Sequence, residues 1–138
     1  MAARVKQNIV RGSNFHFNLD KKIATSYGWW RFVGEINGQL VFNSYPYSKT
    51  TMKHQSKARY WMEEHDMQPD LVIESHISLD HSLFYSLTKS HLSAELNSAN
   101  DKHASIAGRP ASRAYQARIE RIQHLQLMLM SLESLYAD

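Results

Sequence analysis

The sequence predicts an α+β fold in which a small, mainly antiparallel sheet, a β-hairpin plus a third strand, packs with three helices in the order β-β-α-β-α-α. Three observations predict it. An Asn37-Gly38 dipeptide separates two runs rich in aromatic and aliphatic residues. Helical spacing of apolar positions begins after Pro46 and recurs twice in the C-terminal half. The 138 residues, 43% hydrophobic and 21% charged, suit a single domain (1–138) able to bury a core without staples.

The elements follow in order. Residues 1–20 read as an N-terminal arm or edge strand, with Phe15-His16-Phe17 alternating as a strand does. Gly28 to Ile36 reads as a strand carrying Trp29, Trp30, Phe32 and Val33. Asn37-Gly38 supplies two positions that accept positive φ, the requirement of a type I′ hairpin turn. The return strand starts at Leu40, Val41 and Phe42 and runs to Tyr45 or Tyr47. Pro46 lacks a backbone donor and belongs at a strand end or sheet edge. Ser48 or Thr50 then caps a helix reaching Glu64 or His65. Pro69-Asp70 breaks the chain, and Asp70 to Ser78 reads as a third strand that pairs in either direction. Asp80 caps a second helix, His81 to Asn97, with Leu83, Phe84, Leu87 and Leu92 on its apolar side. Residues 98–111, with Gly108 and Pro110, read as a loop. Ser112 caps the C-terminal helix, 112–137, whose Tyr115, Ile119, Ile122, Leu125, Leu129, Leu132 and Tyr136 approach a heptad seam.

Several function classes drop out on composition. There is no cysteine, which removes disulfides, thiolate nucleophiles and Cys-based zinc sites. No Gly-x-Ser-x-Gly elbow, P-loop or dinucleotide fingerprint is present, so no cofactor and no catalytic residue is expected, and the chain is read as a non-enzyme. The start lacks the apolar segment of a signal peptide, and no run approaches the roughly 18 apolar residues that span a bilayer. A cytoplasmic protein with no membrane partner is expected.

From the end of the hairpin into the first helix run Phe42-Asn43-Ser44-Tyr45, then Tyr47-Ser48-Lys49-Thr50-Thr51, His54-Gln55 and Lys57-Ala58-Arg59. This stretch resembles a short uncharacterised domain of bacteriophage and mobile-element proteins, with a Tyr-Ser-x-Thr-Thr-x-x-His-Gln motif over Tyr47 to Gln55. The resemblance implies a phage-like origin, hence a host bacterial cytoplasm, and no particular activity. Within the motif, Thr50, Thr51, His54 and Gln55 are candidate site residues. Helical spacing turns His54 toward the sheet, where a bond to a backbone carbonyl or a tyrosine hydroxyl of the hairpin is the plainer role.

Three surfaces carry candidate chemistry. Lys49, Lys53, Lys57 and Arg59 form a basic ridge at a helix start, with Tyr47 and Tyr60 placed to stack on bases; this points to DNA or RNA. The net charge of +3 permits such binding without requiring it. A second basic group, Arg109, Arg113, Arg118 and Arg121, reads as an ordinary charged helix face. The last helix is apolar over most of Leu125 to Leu132, wider than one buried face needs. Leu127, Met128 and Met130, together with Trp30, are therefore candidates for contact with a host protein or a second copy of the chain. Glu74, His76 and Asp80 share a strand and its end, a weak basis for a metal-dependent nuclease. With no metal-ligand motif among the eight histidines, no metal is assigned. The leading expectation is a nucleic-acid-associated accessory or regulatory protein acting by binding. The alternative is a protein–protein inhibitor of a host or defence complex, and the nuclease stands third.

Overall fold

A computed structural model describes residues 8–105 and 113–137. The chain divides into two compact units, Met1–His81 and Ser82–Asp138. No helix among the described residues is long and apolar enough to cross a membrane.

The first unit holds a six-stranded mixed sheet in sequential order. Its strands are β1 (Ile9–Gly12), β2 (Phe15–Asn18), β3 (Ile23–Ser26), β4 (Trp30–Ile36), β5 (Gln39–Asn43) and β6 (Leu71–Ile73), with α1 (Lys49–Glu64) between the last two. The first five form an antiparallel meander, and β6 pairs with β5 in parallel after the α1 crossover. The fold is thus α+β with the expected order from the hairpin onward, but the sheet is larger than expected and not purely antiparallel. Phe15-His16-Phe17 is an inner strand; the edge lies one strand earlier, at β1.

Tight turns explain the extra strands. Asn37 (φ 50°) and Gly38 (φ 81°) make the two-residue turn read from the sequence. Tyr27 (φ 58°) and Gly28 (φ 76°) make another, closed by the Trp29 N–H on the Ser26 carbonyl, so β4 begins at Trp30. Between β2 and β3, the Asn18 side chain accepts from the Lys21 N–H, and Lys22 takes φ 58°. Asn and Gly advertise such turns; tyrosine and lysine at positive φ do not.

The core of this unit gathers Phe15, Phe17, Trp30, Phe32, Val33 and Phe42 against Ala58 and Met62 of α1. Strict alternation would send Phe32 and Val33 to opposite faces. The register of β3 and β4 shifts between Ala24 and Thr25, a bulge that lets both enter the same cluster. The third strand predicted over Asp70–Ser78 is only three residues long. Beyond it the backbone is held by Asn43, whose fully buried amide accepts from Ser75 N–H (3.0 Å) and donates to the Ser75 carbonyl (2.7 Å).

The second unit is a helical pair, α2 (Phe84–Ala104) and α3 (Arg113–Leu135). Asp80 does not cap α2; its carboxylate takes the Ser78 hydroxyl, and the helix starts at Phe84 after Leu83. The expected loop at 98–111 is helical through Ala104, while Gly108, Pro110 and the Ser112 cap lie outside the described residues. On α3 the buried seam is Leu125, Met128, Leu132 and Leu135, offset from the heptad read in the sequence. On α2 it is Phe84, Thr88 and Leu92, with Leu83 and Leu87 exposed.

Candidate nucleic-acid interface

Ser48 begins the site. Its backbone is extended, and its hydroxyl accepts from the Thr51 N–H (3.0 Å), capping α1 as the sequence expects. The buried face of the helix is Thr51, His54, Gln55, Ala58 and Met62, at spacings of three and four. The opposite face carries Lys49, Lys53, Lys57 and Tyr60, all exposed. The three lysines recur every four residues, which sets their stems about 6 Å apart along the helix axis. Among the described residues none of the three enters a salt bridge. The first turn of α1 has no acidic residue and the last has no basic one. Lys49, in that first turn, therefore adds to the positive end of the helix dipole instead of offsetting it.

Arg59 does not join this row. Its guanidinium lies 4.6 Å over the Phe42 ring, on the flank of α1. There it lines a cleft of about 490 Å³ with Met62, Met67 and Val72, beside Glu63 and Asp66. Tyr60 packs edge-on against Trp61 (5.5 Å), three turns from Tyr47, so the two tyrosines cannot serve one base.

Tyr47 instead sits in an aromatic group. Its ring rests on buried Trp30 (5.3 Å between centroids) and meets Trp29 (6.2 Å) and Tyr27 (6.4 Å). Trp29 is 56% exposed and Trp30 fully buried. The interface role assigned to Trp30 is thereby corrected: its indole is core, donates to the His76 carbonyl, and leaves Trp29 as the outward ring. The adjacent Trp-Trp pair was the available signal for one outward indole; nothing local said which. Tyr27 had no sequence signal.

The motif residues form a polar clasp. The His54 Nε2 faces the Ser13 carbonyl (3.2 Å), which can only accept, so Nε2 carries the proton and bare Nδ1 accepts from the Ser26 hydroxyl (2.7 Å). Ser26 then accepts from Thr51 Oγ1 (3.1 Å), Thr51 from Ser48 (3.1 Å) and Ser48 from the Tyr27 phenol (2.7 Å). Burial is the main influence holding the imidazole below its ordinary pKa, and the Lys57 charge adds to it. The hydroxyls of Ser48 first, and then Thr50, stabilise the ionised form of the Tyr27 phenol and draw its pKa down. Gln55 donates to the carbonyls of Asn43 and Tyr45, both at 2.9 Å. His54 and Gln55 are buried, so both face inward and tie α1 to the β1–β2 turn, the end of β3 and the end of β5; Thr50 alone of the four is exposed.

The remaining candidates separate. Leu127 (60%) and Met130 (68%) are exposed on α3, whereas Met128 is buried in its seam, so it is removed from the interface set. Arg118 donates to the Lys102 carbonyl (2.7 Å), and Arg109 lies outside the described residues. Among the described residues no three His, Asp or Glu side chains converge as a metal site would need. Asp80 is engaged by Ser78 and lies 3.9 Å from Arg31. No protein-family model, curated protein or solved structure matches this chain.

Proposed function

We propose that the protein binds nucleic acid through the outer face of α1, as an accessory or regulatory factor of the phage type that its Tyr47–Gln55 motif resembles. One observation carries the reading: Lys49, Lys53 and Lys57 form an exposed row without acidic partners among the described residues, beginning at the positive end of a capped helix. Such a row costs the helix stability and attracts a polyanion. The charge spacing suits successive phosphates on a strand, and the aromatic group around Tyr47 adjoins the first lysine.

The test is salt dependence. Oligonucleotide affinity is expected to fall steeply between about 50 and 200 mM salt. In Lys53→Gln/Lys57→Gln, the slope of log affinity against log salt should drop by about 1 to 2, since each lost phosphate contact removes roughly 0.7 to 0.9. Absence of binding at low salt removes the proposal.

A second reading rests on α3. Leu127 and Met130 present two long apolar side chains outward, as a docking face for a host protein or a second copy would. A stoichiometric protein partner that survives nuclease treatment, and is lost in Leu127→Ser/Met130→Ser, would favour it.

A further inference from the structure

Resting on the nucleic-acid reading, we infer that the site takes single-stranded polynucleotide, with bases stacked on Trp29 and Tyr47 and the backbone led onto Lys49 and Lys53. Tyr47 (43%) is exposed, and the exposed rings of Trp29 (56%) and Tyr27 (36%) lie 6.2 and 6.4 Å from it, centroid to centroid. An aromatic surface of this size beside a cationic row is complementary to a ligand that carries both flat apolar rings and negative charge. Only unpaired bases offer free faces to such a surface; in a duplex those faces are occupied by neighbouring pairs.

The helix is poorly equipped for the alternative, reading a duplex groove. Base-edge recognition uses Arg or Lys on guanine and Asn or Gln on adenine, and the side chains of this set on α1 with a planar, paired arrangement of polar groups are Gln55 and Arg59. Gln55 is turned inward onto two backbone carbonyls, and Arg59 is stacked on Phe42. What remains outward on the lysine face are point charges, which suit phosphates and lack the planar bidentate fork of Arg, Asn or Gln.

The platform is also held in place before any ligand arrives. Tyr47 is backed by Trp30, so one face is fixed against the core while the rest of the ring is open. Tyr27 is locked in a left-handed turn, and its hydroxyl starts the hydrogen-bonded series through Ser48, Thr51 and Ser26 to buried His54. Rings ordered in advance lose little conformational freedom on binding. Tyr27, Ser48 and His54 are positioning residues here; Trp29 and Tyr47 are the contacts.

The experiment titrates the full chain at low salt with oligo-dT, oligo-U and a mixed-sequence DNA duplex of equal length, following tryptophan fluorescence and anisotropy. Expected is quenching by at least one single strand, with affinity about tenfold or more above the duplex. Trp29→Leu should abolish most of the quenching, and Tyr47→Leu should weaken single-strand binding about tenfold, a loss of the size seen for one stacked base. Duplex affinity should stay unchanged in both. Trp29 is exposed, so its variant keeps the fold, and circular dichroism checks this. Equal affinity for duplex and single strands, with no effect of Trp29→Leu, overturns the single-strand inference and leaves the nucleic-acid reading standing. No binding of any oligonucleotide at low salt overturns both.

Discussion

His54 shows what one side chain does for the fold. It joins the β1–β2 turn, the end of β3 and the buried face of α1 through two bonds whose direction the Ser13 carbonyl dictates. His54→Ala would leave the Ser26 hydroxyl and the Ser13 carbonyl short of partners and open a cavity. A loss of about 2–4 kcal/mol is expected, read from urea unfolding. The pH response follows from the same burial. The folded imidazole is held below its ordinary 6.5, so near and below that value the unfolded chain binds the extra proton. Stability from this group is present above about pH 6.5 and is lost as pH falls through the folded value. The unfolding midpoint should decline in mild acid, and less so in a His54→Gln variant. The sequence indicated that His54 faces the sheet, because helical spacing is local. It did not reveal Ser26 and Ser13 as partners, because the end of β3 and the β1–β2 turn that carry them are absent from the sequence-based expectation.

At the scale of the element, α1 sets stability against binding. Lys49 stands at its first helical position, where a carboxylate would suit the dipole better. Lys49→Glu is expected to stabilise the fold by about 0.3–1 kcal/mol while weakening oligonucleotide affinity, two changes of opposite sign in thermal melts and titrations. Ser48→Ala removes the cap and interrupts the hydrogen-bonded series, for a cost of about 1–2 kcal/mol. The hairpin offers a cleaner case. A Cβ on Gly38 meets nothing within 4 Å, so the penalty of Gly38→Ala, about 1 kcal/mol, is purely that of φ +81°. Both the cap and this turn were legible in advance, since Ser before a helix and Asn-Gly between strands act within four residues of chain.

For the molecule as a whole, burial separates residues that composition alone treats alike. Leu132 is fully buried and Leu127 is 60% exposed, five residues apart on α3. Leu132→Ala should cost about 2–5 kcal/mol, whereas Leu127→Ser should fall within about 0.5 kcal/mol of the parent in chemical denaturation. The apolar run at 125–132 was visible in the sequence; its division into seam and surface was not. The lysine row was equally visible, but the removal of Arg59 to Phe42 and the arrival of Trp29 and Tyr27 beside Tyr47 were not.

The amino-acid order alone determined the turn at Asn37-Gly38, the Ser48 cap, the succession of elements from β4 onward and the exposed lysine stripe. Each depends on backbone preference or periodicity over a few neighbouring residues. Tertiary structure decided which tryptophan of the pair is core, that Phe32 and Val33 share a face, which groups His54 bonds, and that Gln55 clasps the sheet instead of facing solvent. Those outcomes turn on a bulge, a register and a covering helix, and burial is settled by whichever distant segment closes over a side chain.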